Sequence, residues 1–121
     1  LQGNPSPGAT INFSLFAPDP AQPYIFALSL GTTPGITLPD GRNIPLNLDD
    51  LLIISLNPVL SSQILNANNF QGALNSNGQA TASMTIPNVS GLSGFNFHVG
   101  FVTLNTTGVD SISNAINITI Q

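Results

Sequence analysis

Apolar residues fall on every second position in four separate stretches of this chain, and that period constrains its fold more than any other feature. Ile11, Phe13 and Leu15 alternate with Asn12 and Ser14, and Phe95, Phe97, Val99 and Phe101 form an aromatic-rich stripe. Ile116, Ile118 and Ile120 alternate with Asn117 and Thr119, while Tyr24 to Leu30 is apolar on both sides, with Ile25 and Ala27 opposite Tyr24, Phe26 and Leu28. A period of two puts alternate side chains on opposite faces of a strand and is incompatible with a helical stripe. Turn formers punctuate these stretches, as in Pro18-Asp19-Pro20, Thr33-Pro34-Gly35 and Leu38-Pro39-Asp40-Gly41, where Pro presets φ and Gly accepts positive φ.

The pattern predicts an all-β antiparallel sandwich of seven to eight strands, immunoglobulin-like or jelly-roll in type. Residues 1–8 form an extended N-terminal arm and 9–121 a single domain. The expected core is Phe13, Leu15, Phe26, Leu28, Ile53, Met84, Ile86, Phe97, Val99, Phe101, Ile116 and Ile118. Leu51 to Leu56 is a continuous apolar run and reads as a strand covered on both faces. Ile44 to Leu48, interrupted by Pro45, reads as an edge strand. One short helix is expected near residues 58–66, because Asn57 is a good cap, Pro58 suits the first helical position, and Val59, Leu60, Ile64 and Leu65 follow at helical spacing. Phe70 to Leu74 and Gln79 to Ile86 flank Asn75-Ser76-Asn77-Gly78 and predict a hairpin with Gly78 at positive φ.

Charge is almost absent. Asp19, Asp40, Asp49, Asp50 and Asp110 face a single Arg42, giving a net charge of −4 with 5% charged residues, while 41% are hydrophobic. Disordered chains lack apolar residues, so this one folds, with Asn, Ser, Thr and Gln as its hydrated skin. One Arg cannot displace the counterions of a nucleic acid. No apolar run approaches the ~18 residues of a spanning helix. The absence of Cys removes disulfides, thiolate metal sites and cysteine nucleophiles. The first residues, Leu1-Gln2-Gly3, lack an initiator Met, which fits a mature secreted chain whose signal peptide has been removed.

The segments Leu38-Pro39-Asp40-Gly41-Arg42-Asn43-Ile44-Pro45-Leu46, Phe70-Gln71-Gly72-Ala73-Leu74, Gly94-Phe95-Asn96-Phe97 and Ser113-Asn114-Ala115 resemble a β-rich domain that recurs near the C-termini of secreted proteins of planctomycetes and myxobacteria-like bacteria. The resemblance spans roughly residues 4–120. It implies export and an extracellular or cell-surface location, and it supplies no catalytic or ligand residues.

Catalytic patterns are missing. His98 is the one candidate base, it has no Gly-x-Ser-x-Gly partner, and its parity turns it away from the aromatic stripe. Without Glu, a glycosidase pair would have to come from five Asp residues in largely turn contexts, where Asp caps its own backbone. Asp40, Asp49 and Asp50 could offer oxygen ligands to calcium, although no Asp-x-Asp-x-Asp-Gly loop is present. No catalytic residue and no cofactor is assigned. The expected function is a non-catalytic structural or adhesive module that self-assembles into a cell-surface fibre or layer, with a carbohydrate-binding module of secreted enzymes as the alternative. Its partners are copies of itself or other surface proteins, or a polysaccharide. Assembly is expected at the arm, Leu1, Gln2, Gly3, Asn4, Pro5, Ser6, Pro7 and Gly8, and at Tyr24, Ile25, Ile116 and Ile118. The strands around the latter four carry little of the charge that normally protects sheet edges.

Overall fold

The computed structural model describes residues 4–89 and 91–121; the expectations placed on Leu1, Gln2 and Gly3 lie outside the described residues. Among the described residues nine strands and two helices follow in the order β1 (Thr10–Phe16), β2 (Pro23–Ser29), β3 (Ile36–Thr37), β4 (Asn43–Ile44), α1 (Asp50–Leu56), α2 (Pro58–Leu65), β5 (Gln71–Ala73), β6 (Gln79–Thr85), β7 (Asn96–Asn105), β8 (Gly108–Ile112) and β9 (Ile116–Thr119). All pairings are antiparallel, and the fold is an all-β sandwich. One sheet is β1 with β6; the other runs β5-β2-β7, with β9 and β8 sharing the far side of β7. β3 and β4 form a separate small ribbon.

The period-two residues meet between the sheets. Ile11, Phe13 and Leu15 of β1 and Ala82 and Met84 of β6 face Tyr24, Phe26 and Leu28 of β2, with Phe97, Val99 and Ile118 closing the layer. Of the expected core, Ile53 and Ile116 are instead half exposed, at 53% and 50%, and Phe101 is partly buried against the core. Tyr24 and Ile118 are buried core residues. They therefore offer no surface for assembly, which corrects that expectation.

Leu51 to Leu56 is a helix, not a strand. A short apolar run has no periodicity that separates the two, and its flanks decide. Asp49 caps the first turn by accepting the Leu52 N–H at 3.0 Å, and Asn57 ends the helix while capping the next, accepting the N–H groups of Val59 and Leu60. The expected helix near 58–66 is present as α2. The expected edge strand at Ile44 to Leu48 stops at Ile44, because Pro45 has no N–H to donate.

The anticipated hairpin is also corrected. The turn exists: the Asn75 side-chain oxygen accepts the N–H groups of Asn77 and Gln79, and Gly78 has φ +74°. Its two strands part company, however, β5 joining β2 and β6 joining β1. The turn is a corner between sheets.

The arm folds onto its own chain. Pro5 is buried and accepts the N–H of Gln121 at 2.7 Å, and Gly8 donates to Ile86 at 2.8 Å. The Pro5 carbonyl and the Gly8 N–H are thus bonded within one molecule.

Candidate functional site

The second apolar face of β2 carries Ile25 and Ala27, which lie beside Val102 and Gly100 of β7, and Val102 in turn lies beside Ile112 of β8. A two-layer sandwich leaves such a face uncovered. Here residues 36–56 cross it: Ile36, Ile44 and Leu46 pack on one side and Leu52 of α1 on the other, forming a second small core with Ala27. The cover is incomplete and leaves an apolar cleft of about 170 Å³. Apolar cavities of roughly 150 Å³ stay dry and accept benzene-sized guests. The one side-chain hydroxyl in the wall belongs to Ser113; it already accepts the Phe101 N–H at 2.8 Å and donates to the Asn114 carbonyl at 3.0 Å. Apart from that hydroxyl, the side chains of the wall are apolar.

The wall made by α1 is stitched to the sheet by polar groups. The hydroxyl of Ser55, fully buried, accepts the Leu28 N–H at 3.0 Å and donates to Leu52 O at 2.9 Å. The second oxygen of Asp49 accepts the Ser29 hydroxyl at 2.8 Å and the Leu30 N–H at 2.9 Å. Burial alone pushes the Asp49 carboxyl up, but the N–H of Leu52, the Ser29 hydroxyl and the N–H of Leu30 outweigh it and hold the group below the ordinary carboxylate range. A carboxyl with a lowered folded pKa adds stability that is complete above its unfolded value and is lost as pH falls through the folded one. Asp49→Asn is therefore expected to remove part of the stability lost as pH falls below the ordinary Asp value of about 3.9. Urea denaturation of both proteins at pH 7 and pH 2 measures this: the stability difference between the two pH values should shrink in the variant, and an unchanged difference would count against the cap.

Asp40 and Asp50 lie elsewhere. Asp40 pairs with Arg42 at 2.9 Å, and the Arg42 N–H, against an opposing effect of desolvation and together with the guanidinium, holds its carboxyl below the ordinary range. That guanidinium also donates to the carbonyls of Asp110 and Val109, pinning the β3–β4 turn to β8. Asp50 is exposed in the first turn of α1. Asp49 is committed to the helix cap and Asp40 to Arg42, and among the described residues no three metal-binding side chains gather at one point. His98 is half-buried on β7, between Ser29 and Asn117 in the sheet register.

Two apolar surfaces are not legible in the sequence. Ile53, Leu56, Val59, Leu60 and Ile64 lie exposed along α1 and α2, and Leu56 also lines the cleft. A strand over 51–56 would turn Ile53 inward, and of the four helical-spaced residues of α2 only Leu65 is buried. Phe16 and Ile116, 65% and 50% exposed, flank an opening at the side of the sandwich. Of the remaining expected assembly residues, Ile25 lines the cleft. Comparison with protein-family models, with curated proteins and with solved structures gives no match.

Proposed function

We propose that this chain is a non-catalytic, extracellular structural or adhesive module that assembles with copies of itself into a cell-surface fibre or layer. One observation carries the reading: large apolar side chains, among them Phe16, Ile53, Val59 and Ile116, stand exposed on a surface that has almost no charge to keep copies apart. Apolar patches on a soluble sheet protein mark contact sites, and a sheet without Lys lacks the usual guard against edge pairing. The resemblance to exported planctomycete and myxobacterial domains supports the extracellular setting. No helix among the described residues is long and apolar enough to cross a membrane. The polysaccharide alternative has less support: there is no Trp, Tyr24 is buried with its hydroxyl bonded to the Asn69 carbonyl at 2.6 Å, and the exposed rings of Phe16 and Phe95 carry no polar group to which a sugar hydroxyl could bond.

Sedimentation from micromolar to millimolar concentration tests the proposal. The mass is expected to rise with concentration and to rise further in sulfate, which strengthens apolar burial, and electron microscopy should show filaments or sheets. Molar sodium chloride should leave the association intact, since charge screening has little to act on. A monomer at every concentration, retarded on polysaccharide gels, would replace this reading with the carbohydrate-binding one.

A further inference from the structure

Most strand edges of this fold are closed from within. The edge of β2 beyond β5 is taken by Phe70, Ser55 and Asp49, which accept the N–H groups of Phe26, Leu28 and Leu30. β6 exchanges two backbone bonds between Ser83 and Asn68, and Thr81 O accepts the side chain of Asn69. Arg42 closes on the carbonyls of Val109 and Asp110 in β8. β5 and β9 are three and four residues long.

β1 differs. It is seven residues long and, among the described residues, pairs only with β6. The backbone bonds Ile86 N to Ala9 O and Ala17 N to Gly78 O bracket the ladder at odd-numbered positions of this strand, so by alternation Ile11, Phe13 and Leu15 bond to β6 while the N–H and C=O groups of Thr10, Asn12, Ser14 and Phe16 point the other way. Among the described residues no backbone group meets them. The strand holds no charge, no Pro and no bulge, so it has none of the features that guard an edge. Beside it the sandwich is closed at the arm by the Gln121-to-Pro5 bond and opens toward Phe16 and Ile116 into a cleft of about 270 Å³ that reaches Phe26 and Val99.

We propose that β1 is the strand by which one copy of this chain adds to another, forming an antiparallel β1–β1 ladder centred on Phe13. The proposal rests on the self-assembly reading above and names one of its contacts: a twofold ladder closes at a dimer, and a fibre or layer needs a second contact, for which the exposed apolar residues of α1 and α2 are available. An unpaired strand edge recognises an extended backbone, and the open side of the cleft asks that backbone for an apolar side chain at every second position. β1 itself meets both demands. Pairing about Phe13 sets Thr10 opposite Phe16 of the second copy and Asn12 opposite its Ser14. All four are residues whose backbone groups face outward, and each such pair exchanges two bonds. Parity is kept, so Ile11 meets Leu15 on the core side, while on the outer side Asn12 meets Ser14 and Thr10 meets Phe16. With no charge in the strand, no like charges oppose each other. The two-stranded sheet, short by itself, becomes four-stranded across a twofold axis.

Amide hydrogen exchange, read residue by residue at low and high protein concentration, tests the register. The amides of Ile11, Phe13 and Leu15 are expected to be protected at both concentrations, and those of Thr10, Asn12, Ser14 and Phe16 only at the high one. Ser14→Pro removes an outward N–H without breaking a bond to β6 and is expected to weaken association at least about tenfold. Asn12→Lys, which leaves the backbone intact, should do the same if the proline disturbs folding. Association that persists in both folded variants, with the four outward amides still exchanging freely, overturns the β1 contact while leaving self-assembly standing. A chain that stays monomeric throughout overturns both.

Discussion

Replacing Gly78 by valine is expected to destabilise the fold by about 3–5 kcal/mol, among the largest effects of any single substitution outside the core. Two independent costs combine there. Gly78 has φ +74°, a backbone region that β-branched residues enter only under strain. In addition, a Cβ at this position would stand 2.2 Å from the carbonyl oxygen of Ala17, a backbone atom with no rotamer in which to retreat. That carbonyl cannot shift alone, since the Ala17 N–H donates to Gly78 O at 3.0 Å and fixes the end of the β1–β6 ladder. Gly41 separates the two costs: it has φ +92°, but a Cβ there would meet nothing within 4 Å. Gly41→Ala should therefore cost about 1 kcal/mol and Gly78→Ala clearly more. Thermal melting reads the series, with a fall of more than about 10 °C expected for Gly78→Val. Equal losses for the two alanine variants would show that the Ala17 contact relaxes freely.

The same turn shows what sequence can and cannot convey. Asn75 and Gly78 specify their own backbone through bonds that span four residues or fewer, so the turn and its positive φ are legible. Which strand each flank joins depends on Tyr24 opposite Gly72 and Phe13 opposite Ala82, pairings set by the packing of the whole molecule. The core follows the same division. Ile11, Phe13, Leu15, Phe97 and Ile118 are readable from alternation, because each strand buries one face. Ile116 shares the parity of Ile118 yet stays half exposed, because it sits where β9 begins and the seam opens.

Leu51 to Leu56 departs from the expected strand for a related reason. Six residues, five of them apolar, satisfy a covered strand and a packed helix alike, and the deciding signals lie outside them, in Asp49 and in Asn57-Pro58. Asp49 is visible in the sequence as a carboxylate and suggests a cation ligand, whereas its oxygens cap α1 and anchor Ser29 and Leu30. The apolar second face of β2 does need cover, as its composition implies. Its cover is the chain's own 36–56 segment, which no local pattern announces, and this moves the candidate contacts from that face to α1, α2 and the free side of β1.

Replacing Phe26 by alanine is expected to cost about 3–5 kcal/mol, a large share of the roughly 5–15 kcal/mol that holds a domain of this size together. Phe26 is 2% exposed and sits where three segments meet. Its ring lies 4.9 Å from that of Phe13 on β1, tilted by 38°, and 4.8 Å from that of Phe70, nearly edge-on at 71°. Such pairs add about 0.5–1.5 kcal/mol beyond the area they bury. Phe26 therefore ties the two sheets to each other and both to the turn that precedes β5, where its N–H also donates to Phe70 O at 2.6 Å. Alanine keeps that backbone bond and removes the ring, leaving a void that Phe13 and Phe70 cannot fill, since each belongs to a different element. Phe26→Leu, closer in volume, should cost less than half as much. Phe16→Ala, on the exposed side of the same seam, should leave the melting temperature of the monomer nearly unchanged. Urea denaturation at a concentration too low for association distinguishes the three, and a Phe26→Ala protein as stable as Phe16→Ala would mean that the sheets are held together elsewhere.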